Sequence, residues 1–236
     1  MTTLSMSRQL SLAIAGTVLA ALGTANAAQA LTIGITDRTA LGANESVDWS
    51  VLGSNFTSVS NPFTVNGSSG TGVTGSLASG GFGRLDQGSG WAGNFAPGDA
   101  LLWNQGNGTV RFAFSSPVRG VGTQIQANIY DSFNAIIEAF DSNGISLGSF
   151  NRGGISTGNA DNSAIFIGLL SDQLDIASIT FSVNSIGGND FAINQLSLNS
   201  SATAIPTPAL LPGLIGMGIA TLRRRKEEAA QESSEA

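Results

Sequence analysis

The sequence predicts an all-β fold: a jelly-roll-like antiparallel β-sandwich, with a signal helix before it and an apolar anchor helix after it. Three observations predict this. Apolar and polar residues alternate at period two in several runs, as in strands with one face toward a core. Clusters of Gly, Asn, Asp and Ser separate those runs at short intervals, and no stretch between the termini shows helical period with caps. The two ends are apolar runs next to basic residues, a pattern of addressing rather than folding. A closed barrel is the runner-up for the central strands.

In chain order, Leu31, Ile33 and Ile35 make a first candidate strand, and Val47, Trp49 and Val51 a second with Trp49 in the core. Residues 66–93 hold ten Gly and little periodicity, which reads as long loops with short edge strands, including Leu77 to Arg84. Val110, Phe112 and Phe114 alternate with Arg111 and Ala113. Val121, Thr123, Ile125, Ala127 and Ile129 share one face, buried, and Gly122, Gln124, Gln126, Asn128 and Tyr130 the other, solvated. Ala135, Ile137 and Ala139 lead into Asp141-Ser142-Asn143-Gly144 and then Ile145 and Leu147. Asn-Gly between alternating runs signals a hairpin. Ala164 to Leu170 is continuously apolar, a central strand covered on both faces. Ala177, Ile179, Phe181 and Val183 alternate again. Phe191 and Ile193 then change phase to Leu196 and Leu198, which places a bulge near Asn194-Gln195.

Composition narrows the chemistry. The chain of 236 residues has 31 Gly, no Cys and no His, and only 11% of it is charged. Without Cys there are no disulfides, thiolate metal sites or thiol nucleophiles, and without His there is no Ser–His–Asp hydrolysis. Residues 31–202 carry five Arg, no Lys and twelve Asp or Glu, a net charge of −7, which disfavours a nucleic-acid partner. No cofactor is expected.

The N-terminus has Arg8, an apolar run from Leu10 to Leu22, then Ala25-Asn26-Ala27 and Ala28-Gln29-Ala30. This is the order of a secretory signal peptide over 1–30, cleaved by signal peptidase after Ala27 or Ala30, with Ala28 and Ala30 forming the preferred A-x-A site. Residues 31–198 are the ectodomain, 199–208 a linker with the start of a sorting motif, 209–226 an apolar helix plus basic cluster, and 227–236 an acidic, solvated tail. Leu210 to Leu222 is apolar or small all round, and Arg223, Arg224, Arg225 and Lys226 hold its end at the cytoplasmic face.

Pro206, Thr207, Pro208 and Ala209, followed by a Gly-containing apolar helix and the Arg cluster, resemble the PEP-CTERM class of bacterial sorting signals, in its PTPA-CTERM variant of cyanobacterial type. The resemblance implies an exported protein. An exosortase-type membrane protease would recognise the motif, cleave near it and pass the protein outward to the cell surface or extracellular matrix. Gly120-Val121-Gly122, Ala139-Phe140-Asp141, Phe166-Ile167-Gly168 and Asp190-Phe191-Ala192-Ile193 also resemble the β-sandwich ectodomains of PEP-CTERM proteins, over about 110–198. That likeness implies a fold and no activity.

The expected function is therefore a non-enzymatic structural or adhesive surface component, with transient inner-membrane anchoring during export. The alternative is a carbohydrate-binding, lectin-like module for extracellular polysaccharide, with Trp91, Trp103 and Tyr130 as candidate glycan contacts, since aromatic faces stack on sugar C–H surfaces. Packing in the core is the competing reading of the tryptophans. A weaker alternative is a glycan-cleaving enzyme built on Glu138 with Asp131, Asp175 or Asp190. Asp141, Asn143 and Gly144, and Asp161-Asn162, echo parts of calcium loops, but neither supplies six oxygens, so no metal site is assigned.

Overall fold

The computed structural model describes residues 31–201. The expected signal peptide with Ala28 and Ala30, the expected sorting motif Pro206 to Ala209, the apolar run 210–222, the cluster Arg223 to Lys226 and the acidic tail lie outside the described residues. The described chain is all-β, with fifteen strands: β1 (Thr32–Ile35), β2 (Glu45–Val47), β3 (Thr57–Val59), β4 (Phe63–Asn66), β5 (Gly72–Ser76), β6 (Phe82–Asp86), β7 (Ala100–Trp103), β8 (Val110–Val118), β9 (Gly120–Ala127), β10 (Ser132–Phe140), β11 (Ser146–Ile155), β12 (Ile165–Ser171), β13 (Ile176–Ser185), β14 (Phe191–Ile193) and β15 (Leu196–Asn199).

These form two antiparallel sheets, as in a β-sandwich. One has six strands in the order β11-β10-β13-β8-β5-β4. The other has nine: β1-β12-β9-β14-β7-β6-β3, with β15 beside β9 and β2 beside β15. The inward faces share one apolar core. Trp49 stacks on Phe112 at 5.6 Å between ring centroids, Phe63 meets Trp49 edge-on at 6.2 Å, and Phe112 meets Phe181 edge-on at 6.2 Å. Such aromatic pairs add to plain area burial.

The six-stranded sheet follows its sequence pattern. In β10, Phe133, Ala135, Ile137 and Ala139 are buried while the residues between them are not. The Asn-Gly hairpin to β11 forms as predicted, with Gly144 at φ 77°, a conformation that suits glycine. Asp141 Oδ1 accepts from the backbone N–H of Asn143 (2.9 Å) and of Ile145 (2.8 Å), closing the turn.

The nine-stranded sheet departs from the pattern, because its outward face is also covered. Leu85, Trp91, Phe95, Leu101, Ala164 and Ala192 form a second core there, and Ile35, Leu41 and Phe166 a third. β9 is consequently covered on both faces, and the predicted solvated side fails within the strand, where Gln126 is 1% exposed; beyond its end Asn128 and Tyr130 are exposed as expected, and so is Ile129, expected inside. Gln126 is accommodated by hydrogen bonds. Its Nε2 donates to Asn94 Oδ1 (2.9 Å) and Ser156 Oγ (2.7 Å), and its Oε1 accepts from Asn94 N (2.7 Å).

Three further expectations are corrected. Val47, Trp49 and Val51 do not share a strand: β2 ends at Val47, and Trp49–Leu52 is a 3₁₀ turn whose first N–H groups are capped by Asp48, which leaves Val51 exposed. β1 forms, but Leu31 and Ile33 face outward. The glycine-rich segment 66–93 contains β5 and β6, both interior strands rather than edges. Glycine there allows close approach: a Cβ on Gly75 would stand 2.4 Å from the Phe63 ring, and one on Gly83 3.0 Å from Trp103.

Candidate functional site

β14 and β15 lie end to end along β9. Ile193 pairs with Ile125 and Ser197 with Gly122, so β15 runs one residue out of step with β14. That extra residue is the predicted bulge at Asn194-Gln195. On the other side the two strands part company, β14 pairing with β7 and β15 with β2. The sheet therefore forks at the bulge.

A fork leaves backbone and side-chain polar groups without ladder partners, and a buried polar group needs one. Here they are satisfied by a dense network. Trp49 Nε1 and Thr123 Oγ1 donate to the carbonyl of Asn194 at 2.7 and 3.0 Å. Asn194 Nδ2 donates to Gln124 Oε1 (2.6 Å) and Asp99 Oδ2 (3.0 Å), and Asn194 Oδ1 accepts from Gln124 N (3.1 Å) and Arg38 Nη2 (3.0 Å). Arg38 Nη1 donates to the Gln195 carbonyl at 3.1 Å and to Ser197 Oγ, and its guanidinium lies over the Phe166 ring at 5.1 Å. Burial lowers the pKa of Arg38 and the neighbouring Asp99 opposes that shift. Arginine stays charged regardless.

The fork opens as a cleft of about 540 Å³. Its walls are mostly polar and include Arg38, Asp48, Arg84, Asp99, Gln124 and Asn194. Two further clefts of about 400 Å³ each also use Arg38 as a wall, one beside Glu45 and one beside Arg152. Arg84 is only 5% exposed and pairs with Asp86, while its Nε has no hydrogen-bond partner among the described residues. Chemically the cleft offers fixed donors and acceptors. Among the described residues no group of three or more acidic side chains is placed to hold a metal ion.

The residues singled out from sequence fall elsewhere. Trp91 is 6% exposed and packed in the second core, tilted against Trp103 at 6.3 Å, so it offers no open face to a sugar. Trp103 is half-buried, and its Nε1 donates to Asp190 Oδ1 at 2.6 Å. Tyr130 is 56% exposed, with its hydroxyl donating to the Ala92 carbonyl at 2.7 Å. The three do not form a platform.

The carboxylates are equally scattered. Glu138 lies on the outward face of β10 and accepts from Ser146 Oγ (2.7 Å). Asp131 is seven residues back along the same segment, a strand distance of roughly 23 Å. Asp175 stands five residues before Thr180, the β13 partner of Glu138, or roughly 16 Å away along the strand. Asp190 engages Trp103 and Asn128 on the other sheet. Paired carboxylates for glycoside hydrolysis stand about 5–9.5 Å apart. Asp161 is spent on its own turn, where the Ser163 hydroxyl and backbone hold its pKa low. Asp141 is held low chiefly by the Ile145 N–H.

Arg38, Arg84 and Asp48 stand in no motif of the sequence, and Asp99 stands out there only as a polar neighbour of Trp103. The signal that marked their neighbourhood was the phase change at Asn194-Gln195, since bulges re-aim side chains and gather at sites. The chain matches no protein-family model and no curated protein. Among solved structures it is similar to a DUF4465 family protein from Bacteroides caccae, with a TM-score of 0.41 and 11% identity over 67% of this chain and 100% of that one.

Proposed function

We propose that the protein is exported through its signal peptide and sorted to the cell surface or extracellular matrix by its C-terminal tail, where a jelly-roll-like domain serves a structural or adhesive role. The observation that carries this reading is the order of Pro206-Thr207-Pro208-Ala209, apolar run and Arg223-Arg224-Arg225-Lys226 behind a β-rich domain. Signal peptidase, an exosortase-type protease and, transiently, the inner membrane are its partners. A non-enzymatic role is supported by a chain without His or Cys and by the wide spacing of Glu138 from Asp131 and Asp175. Mass spectrometry of the exported protein tests the sorting step. A C-terminus near residues 206–209 is expected, and an intact 223–236 segment on surface protein overturns it.

A carbohydrate-binding role for the same domain is the second reading. It is favoured by the polar cleft at the fork, not by Trp91, Trp103 and Tyr130.

A further inference from the structure

We infer that the cleft at the sheet fork binds a neutral saccharide, held through Arg84, Asp48 and Asp99; this rests on the carbohydrate-binding reading above and gives it a place. The volume of about 540 Å³ suits a small ligand. Two arginines and two aspartates in the wall cancel in charge, so neither an anion nor a cation is favoured overall, and the domain's net −7 adds long-range repulsion against anions. The apolar share of the wall is only Ala96, Ala100 and glycine backbone, too little for an apolar ligand.

What remains is a ligand that both gives and takes hydrogen bonds. Asp48 spends one oxygen on the Ser50 N–H at 2.8 Å, and Asp99 spends one on Asn194 at 3.0 Å. The second oxygen of each carries no hydrogen bond among the described residues. Arg84 lines the same cleft as a largely buried guanidinium paired with Asp86, which adds fixed positive charge to the wall. A vicinal diol suits this wall, since each hydroxyl donates one proton, here to a free carboxylate oxygen, and accepts at its lone pairs. The bulge network fixes Asn194, Gln124 and Arg38 before any ligand arrives, so little ordering is required on binding.

The test is ligand-observed NMR on the full chain with glucose, galactose and mannose as probes and glucuronate alongside, repeated on Asp48→Asn, Asp99→Asn and Tyr130→Phe. Asp48 is exposed, so its variant keeps the fold and the test stands even if Asp99→Asn does not. At least one neutral hexose is expected to bind, about tenfold or more weakly in Asp48→Asn and Asp99→Asn and unchanged in Tyr130→Phe. Hexose binding that both Asp variants leave unchanged overturns this site while sparing the carbohydrate-binding reading. Binding of glucuronate alone overturns the neutral ligand. No binding of any sugar ends both.

Discussion

The two sheets bury their strands in different ways. In the six-stranded sheet one face meets the core and the other meets water, so β10 alternates residue by residue. In the nine-stranded sheet the outward face carries its own small cores and a polar layer around Gln126 and Asn94, so β9 is buried almost throughout. The strand physics is the same in both. What differs is the cover, which comes from segments distant in sequence: residues 87–99 and 156–164 supply it. A covered outer face lets polar residues such as Gln126 and Asn94 sit inside because most of their hydrogen bonds are met.

The comparison is sharpest at the shared core. Phe112 is fully buried between Trp49 and Phe181. Phe112→Ala should cost about 3–5 kcal/mol, the range for truncating a buried aromatic. Urea unfolding measures it, and a cost below about 1 kcal/mol would show that the two sheets do not share that core.

The outer layer should cost less but not little. Asn94 Oδ1 accepts from Gln126 Nε2 (2.9 Å) and from Thr157 N–H, and Asn94 Nδ2 donates to the hydroxyls of Thr157 (2.7 Å) and Ser163 (2.9 Å). Asn94→Ala strands these partners, for about 2–3 kcal/mol. It should also speed amide hydrogen exchange in 87–99 and 156–164 before the rest of the domain opens. Exchange that rises everywhere together would mean the outer layer is not a separable unit.

The same contrast explains what the sequence made legible. Alternation revealed the strands of the six-stranded sheet and the Asn-Gly hairpin, because solvent on one face writes a period of two. The run Ala164 to Leu170 announced its double burial by being apolar throughout. β9 did not, because its second buried face is made of Gly122, Gln124 and Gln126, which look solvated until the network that satisfies them is seen. Of the two readings open for Trp91, core packing holds: a Gly-rich loop usually means exposure, yet here it folds over the sheet with its own core. β5 and β6 were obscured because their small residues make room for rings from neighbouring strands. At the cleft, the phase change at Asn194-Gln195 was readable, whereas the convergence of Arg38, Arg84, Asp48 and Asp99 depends on which strands flank the fork.

The smallest expected effect concerns where the two sheets meet at their edge. Glu45 on β2 reaches across to the β4–β5 loop, where its carboxylate accepts from Ser69 N (3.1 Å), Thr71 N (2.8 Å) and Thr71 Oγ1 (2.6 Å). Gly67 permits the approach, since a Cβ there would lie 2.4 Å from Glu45 Oε1. Burial of this carboxyl works to raise its pKa, but the donors from Thr71 and Ser69 outweigh that and hold it below its ordinary 4.5. A depressed folded-state pKa means the contribution is complete above about pH 4.5 and is lost as the pH falls through the folded value. Glu45→Gln, which keeps the shape and removes the charge, should lower the urea midpoint slightly near neutral pH and flatten its decline in acid. Equal slopes for the two proteins below about pH 4.5 would show that this carboxylate does not tie the nine-stranded sheet to the six-stranded one.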